Sequence, residues 1–340
     1  MDKELLKTLC SLPGVSGCED AVAQWLLAHL GKTGRCFRDS LGNVIVQKEG
    51  PGSGNVLVSA PMDEAGFLLS RVQDSGLFSF TCIGDMDPRV ILGKGVLAVR
   101  AQLPGVIGAK AVHQQTKEER DTPVPADKLY LNFGAGSREE ALGVLCAGDA
   151  VVFESAFHQL GKHRVCGRAM EQRSACAVLI ELLEEARAGF TAVFTTQSLT
   201  TGIGLPAAAY AHQPDVCLML GPVPAADVPG APGEGCRLAG GAVLPQMDKG
   251  VFYSRRLLQS AKEISQSFSI PVQPQEEPLS QKEAQRTAGC REGIELLRIG
   301  IPCRYSASPA ALADLRDMDA AKALALELLR GHRDRKESIH

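Results

Sequence analysis

Two stretches of the chain carry acidic side chains where an α/β enzyme could use them. In Ser59-Ala60-Pro61-Met62-Asp63-Glu64-Ala65-Gly66 an apolar run ends in a turn with two adjacent carboxylates. Strands of α/β enzymes commonly deliver side chains to an active site at such a point. Glu171-Gln172-Arg173 puts another acid at the start of a long apolar segment. Carboxylates placed this way serve as metal ligands or as a general acid and base. A plainer role stands beside each. Asp63 and Glu64 are neighbours, so on a strand they point apart, unlike an acid–base pair. They read as holders of the turn through backbone hydrogen bonds, and Glu171 as a buried or loop acid without metal. Pro61 stands two residues before Asp63, where it can neither bind a metal nor move a proton.

Other reactive side chains give weaker signals. Ser198 has no G-x-S-x-G elbow around it and reads as structural. His158 and His163 are spaced like metal ligands, but HQLGKH reads as a polar loop. Cys166 and Cys176 flank Glu171 and read as core thiols. The 11 cysteines contain no C-x-x-C pair, which excludes zinc ribbons and thioredoxin-type motifs and predicts reduced thiols. The glycines of GAGS (134–137) have no P-loop lysine after them.

The elements that must position these groups follow from length and pattern. A chain of 340 residues predicts two domains. Apolar residues at 45% and charged residues at 22% describe an ordinary soluble globular protein. A net charge of −3, one Trp and four Tyr argue against nucleic acid as a partner, and no apolar stretch reaches membrane-spanning length. MDKELLKTLC has no apolar leader segment, so the expected location is the cytoplasm.

Helical spacing covers 2–11 and 19–31, with the turn PGVSG between them, and RCFRDSLGNVIVQ and NVLVSA read as strands joined across EGPGSG. From about 67 to 165, short β-branched runs alternate with Gly, Pro and Asp turns, and only SREEALGVL (137–145) looks helical. A β-rich module inserted into an α/β domain gives this pattern. The α/β pattern then returns with a helix in RSACAVLIELLEEARAG and strands in TAVFTTQ and PDVCLML. A helix over 255–267, strands in IPVQPQ and LLRIGIPC and a closing helix over 314–331 complete it. Residues 221–235 and 273–289 read as loops and 332–340 as a loose tail.

In order along the chain stand PGVSGCED, DSLGNVIVQKEG, the MDE-x-G turn, IGDMDPR, GVIGAK, VCGRAMEQRSACAVLIELL, VFTTQ, DVCLML, ADVPG, MDKG and IGIPCRYSASP. This series resembles the metallopeptidase family 42 aminopeptidases (tetrahedral, deblocking or glutamyl aminopeptidases, also labelled endoglucanase CelM) over about residues 5–330. The resemblance implies an α/β fold, a phosphorylase/hydrolase-like mixed sheet flanked by helices, with an inserted β-rich, barrel-like dimerisation domain. Residues 1–66 and 166–331 would form the aminopeptidase-like domain and 67–165 the insert. It also implies dimers that build dodecameric shells. Active members use two divalent metals, zinc or cobalt, with a carboxylate base.

Carried over one position at a time, the family pattern meets replacements. The first histidine ligand is Pro61, while the aspartate that orients it remains as Asp63. The metal-bridging aspartate is Glu171, and the Glu-Glu pair of base and ligand is Ser198 and Leu199. The aspartate ending the next strand is Gly221, and the final histidine is Ala307. The family's Gly-Thr-Asp-Ala loop is shortened to Thr287-Ala288-Gly289. Four of five ligand positions thus lack a donor, and the base is gone. The expectation is a homologue that holds no metal, or a metal at Glu171 at most. It would act as a non-catalytic oligomeric subunit, beside an active paralogue, or as a peptide-binding protein. The alternative is an active aminopeptidase with a rearranged site.

Overall fold

A computed structural model describes the chain except residues 52–54, 232–234, 276–277 and 338–340, and describes 332–337 by backbone alone. Parts of the expected turn EGPGSG, the loops 221–235 and 273–289 and the tail lie outside the described residues.

The strands in chain order are β1 (Arg35–Arg38), β2 (Val44–Lys48), β3 (Val56–Pro61), β4 (Gly66–Val72), β5 (Phe78–Ile83), β6 (Gly95–Ala98) and β7 (Leu103–Gly108). Next come β8 (Tyr130–Asn132), β9 (Ala150–Phe153), β10 (His158–Leu160), β11 (Arg164–Gly167), β12 (Phe190–Thr195) and β13 (Val216–Pro224). The last are β14 (Ala242–Leu244), β15 (Met247–Asp248), β16 (Val251–Phe252), β17 (Val272–Pro274), β18 (Glu295–Arg304) and β19 (Ala311–Asp314). Eleven of them make one mixed sheet in the order β1-β2-β12-β3-β13-β18-β19-β11-β10, with β14 joining β18 and β17 joining β14.

The centre of that sheet is parallel: β12 and β13 pair on opposite sides of β3, and β18 pairs with β13. Parallel strands need cover on both faces, which is why VLVSAP is buried at all six positions instead of alternating. One layer of cover is the helix Met170–Glu185, buried at every residue from Met170 to Leu183. It packs with the helices Lys3–Ser11, Asp20–Leu30, Arg255–Phe268 and Leu315–Glu337 in the largest core cluster. Leu205 and Ala208 of the helix Gly204–His212 join Leu57, Val193 and Cys217 in a second cluster on the other face.

Strands β4, β5, β8, β7, β6 and β9 close into a separate barrel. Closure removes the edge strands that short β segments otherwise expose. Phe67 fills it, edge-on to Phe80 at 5.2 Å and to Phe153 at 5.1 Å between ring centroids.

Several expectations need correction. HQLGKH is not wholly a loop, because β10 pairs with β11. Strand β13 runs through Pro224, into the expected loop at 221–235. The expected loop at 273–289 contains the helix Lys282–Ala288. Two short helices stand in the β-rich stretch, Pro88–Ile91 capped by Asp87 and Lys117–Asp121 closed by a Thr116–Glu119 capping box. The closing helix continues to Glu337, past the start of the expected loose tail. Among the described residues no helix is long and apolar enough to cross a membrane.

Candidate functional site

The carboxyl ends of β3, β12, β13 and β18 face one cavity of about 580 Å³. A crevice at the carboxyl ends of parallel strands, where the chain passes to either side of one strand, is the usual ligand position in open α/β sheets. Its wall includes Pro61 from β3, Ser198 and Leu199 after β12, Gly221 on β13, Ala307 after β18 and Glu171 from the first turn of Met170–Glu185. Gly84 and Asp85, at the end of β5 in the barrel, form part of the rim. Six of the seven positions singled out from the sequence therefore border a single space. The seventh, Asp63, lies fully buried behind it.

Backbone hydrogen bonds tie the MDE turn to the PGVSG turn. Glu64 N donates to Gly14 O at 2.8 Å, Ser16 N to Glu64 O at 3.2 Å, and Gly14 N to the Glu64 carboxylate at 2.7 Å. Beneath them Arg173, wholly buried, donates to the carbonyls of Leu9, Leu12 and Met62 and lies 3.5 Å from Glu64. Gly14 leaves room for this guanidinium, since a Cβ there would sit 2.8 Å from Arg173 Nη2. The DSLGN signpost works in the same way. Asn43, buried, accepts from Thr196 N at 3.0 Å and so fixes the exit of β12.

Asp63 does not reach toward the cavity. Its Oδ1 accepts from Ser198 Oγ at 2.5 Å and its Oδ2 from Leu199 N at 2.9 Å. Burial pushes its carboxyl above the ordinary range, and these two bonds pull it back. Glu171 is 3% exposed; its Oε1 accepts from Ala307 N at 2.9 Å, while its Oε2 has no donor. Burial raises it to about 7. Tyr305 and Ala307 hold left-handed backbone at φ 58° and 54°, so the RYSASP turn is bent to bring the Ala307 amide onto this carboxylate.

Cys176 and Cys166 lie buried as core thiols, Cys176 donating to Pro61 O at 3.1 Å. Burial pushes Cys176 to about 12, far from a reactive thiolate. His158 is exposed on β10 and does not border the cavity.

Three further residues belong to the cavity wall and escaped sequence reasoning. Glu283, on the helix Lys282–Ala288, is 8% exposed and has no donor for its Oε1. Burial, with the Asp63 charge behind it, raises it to about 8. Arg298 on β18 is 2% exposed and donates to Asp248 at 3.1 Å and to Pro222 O. Gln281, with its amide oxygen turned inward, accepts from both η nitrogens of Arg298 at 3.1 Å. Asp248 also receives Tyr253 Oη at 2.7 Å and Leu279 N at 2.7 Å, so the acidic half of the buried ion pair is fully hydrogen-bonded. The legible signal was Arg298 itself, a charge inside the apolar run LLRIGIPC.

Among the described residues, no group of three or more His, Cys, Asp or Glu side chains is gathered as for a metal ion.

The model of the M42 glutamyl aminopeptidase family matches residues 42–324. The chain is 28% identical to a lysyl aminopeptidase of Pyrococcus furiosus, over 97% of each chain. Aminopeptidase APDkam598 from the archaeon Desulfurococcus kamchatkensis superimposes with a TM-score of 0.89 at 29% identity, over 96% of each chain. The TET1 peptidase of Pyrococcus horikoshii, described as able to assemble into a tetrahedron or a large octahedral shell, gives 0.83 at 25% identity, over 96% of this chain and 98% of that one.

Proposed function

Since the chain belongs to the M42 glutamyl aminopeptidase family, we propose that it is a member without the two-metal centre, working as an oligomeric subunit or a peptide-binding protein. The observation that carries this reading is the donor set of the cavity. A divalent ion needs about three oxygen, nitrogen or sulfur ligands, and a bridged pair needs more. Pro61, Leu199, Gly221 and Ala307 offer no side-chain donor there, and Glu171 already has one oxygen on the Ala307 amide. The residues present do not fit the metal pair.

Each retained group has a structural occupation instead. Asp63 holds the loop after β12, Glu64 and Arg173 hold the two turns together, and Asp248 neutralises Arg298. Ser198 is no nucleophile in this arrangement: it donates to Asp63, and among the described residues no histidine borders the cavity to take its proton.

The barrel of β4–β9, whose strands run from Gly66 to Phe153 while β10 and β11 already belong to the mixed sheet, is the inserted module expected at 67–165 and the surface for self-association into a dimer or larger shell, with further copies of this chain or with an active paralogue. The assembly described for the Pyrococcus horikoshii peptidase supports self-association. The cytoplasm is the proposed location. The name of the Pyrococcus furiosus relative favours a second reading, an aminopeptidase working with a rearranged site.

The deciding experiment measures metal content after incubation with zinc, cobalt and manganese, alongside aminoacyl-p-nitroanilide turnover. The expected result is substoichiometric metal and no turnover. Two metals per chain with turnover would establish the second reading.

A further inference from the structure

Arg298 sits inside the apolar strand β18 and is 2% exposed, yet it borders the cavity. Burying a guanidinium is costly unless its donors find acceptors. The hydrogen bonds of Arg298 all leave from its two η nitrogens. Nη1 donates to Asp248 at 3.1 Å, Nη2 donates to Pro222 O, and both donate to the turned Gln281 amide oxygen at 3.1 Å. A guanidinium carries five N–H donors, and these bonds use four. The fifth, on Nε, has no acceptor among the described residues.

Gly221 shows what lies in front of that donor. A Cβ built on Gly221 would stand 3.7 Å from Arg298 Nη2 and 3.8 Å from Nε. Apart from the glycine's own chain neighbours, no other described atom comes within 4 Å of that point. Gly221 and Arg298 both line the cavity. The cavity therefore reaches the guanidinium across a residue that has no side chain to stand in the way.

The net charge of the wall does not select a ligand. Arg298 is offset by Asp248 behind it. Lys282 donates to Thr200 O at 2.8 Å and has no carboxylate partner among the described residues, while Asp85, exposed at the rim, opposes it. Burial raises Glu283 to about 8, so it is protonated at neutral pH, and raises Glu171 to about 7, so it is ionised in part. With the total near zero, the local donor decides. A guanidinium N–H makes its strongest hydrogen bond to an anionic oxygen.

We infer that the cavity binds a small carboxylate with an apolar body, one oxygen accepting from Arg298 Nε beside Gly221 and the body lying along Leu199, Pro222 and Leu279. The inference rests on the metal-free reading above, because a metal pair would bind a carboxylate by itself. A free small acid and the C-terminus of a short peptide present the same group.

The test uses the full-length protein, with its metal content measured on the same preparation. Isocaproate and acetyl-alanyl-leucine are titrated calorimetrically at neutral pH, against their primary amides and against isopentylamine. Saturable one-to-one binding of at least one acid is expected, with silence from both amides and the amine. The acid that binds names the source, and either one supports the inference. Gly221→Ala puts a methyl group at ordinary contact distance from the guanidinium and leaves the ion pair intact. It is expected to keep the thermal midpoint and to weaken binding by about tenfold or more, the size of a charged hydrogen bond. Lys282→Gln, an exposed change, is expected to weaken binding by about two- to threefold and to reduce its salt dependence. Silence from both acids in metal-free protein would overturn the inference. So would binding of the amine, equal binding of an acid and its amide, or an affinity unchanged in Gly221→Ala. Two metals per chain would overturn the metal-free reading itself, a separate outcome recorded by the metal assay.

Discussion

Asp63 and Ser198 are 135 residues apart in the chain and hydrogen-bonded at 2.5 Å, with the Leu199 amide on the second oxygen of the same carboxylate. A carboxylate that the family resemblance assigns to orienting a histidine here closes the loop after β12. The loop cannot swing into the cavity without leaving a buried charge bare.

Ser198→Ala should therefore destabilise the protein by about 1–2 kcal/mol, because Asp63 loses one donor and keeps the other. Asp63→Ala should cost more, since it frees the loop and leaves a void. Urea denaturation of both variants checks the order. Equal stability of Ser198→Ala and the parent would show that this hydrogen bond does not hold the loop.

Gly14→Ala tests the contact between the two turns. The added carbon would lie 2.8 Å from both Arg173 Nη2 and Val22 Cγ2, in a region where Arg173 cannot retreat without releasing three carbonyls. A loss of about 1–3 kcal/mol is expected, as for overpacking of a filled core. A thermal midpoint unchanged within a degree would mean that the turn relaxes freely.

How much of this was legible in the sequence depended on the range of each interaction. The run VLVSAP announced a buried strand because both its faces are covered. The spacing of short strands and turns announced a β-rich insert. The helix Lys282–Ala288 did not show itself, because its buried residues are Glu283, Ala284 and Thr287, with no apolar stripe to mark a period. Arg298 was visible as a misplaced charge, but its partner Asp248 lies 50 residues away and only the fold brings them together. The orphaned oxygens of Glu171, Gln172 and Glu283 depend on what is missing nearby, which no residue pattern records.

Gly221→Asp puts a carboxylate back on β13. A Cβ at Gly221 meets nothing closer than Arg298 Nη2 at 3.7 Å and Nε at 3.8 Å. The new group would face a guanidinium across open space, so folding should change by less than about 1 kcal/mol. Zinc affinity should stay weak, because a single added ligand leaves the set incomplete. Tight zinc binding by this one variant would show that the other wall residues form a nearly complete site.

The pH dependence of stability carries the signature of Glu283. Its folded pKa is raised to about 8, from an ordinary value of 4.5, chiefly by burial. Between those two values the folded chain holds a proton that the unfolded chain has released, so stability falls as pH rises. The contribution is fully present below about pH 4.5 and is lost progressively through pH 8, with a limiting slope of about 1.4 kcal/mol per unit for one group. Asp317, raised to about 6 by burial, and Glu171, raised to about 7, act with the same sign over narrower windows. Glu283→Gln cannot ionise and keeps the shape of the protonated acid. Its urea midpoints, measured from pH 5 to 9, should decline less than those of the parent, with the gap widening toward pH 8. Parallel curves would mean that Glu283 is ionised in the folded protein at neutral pH.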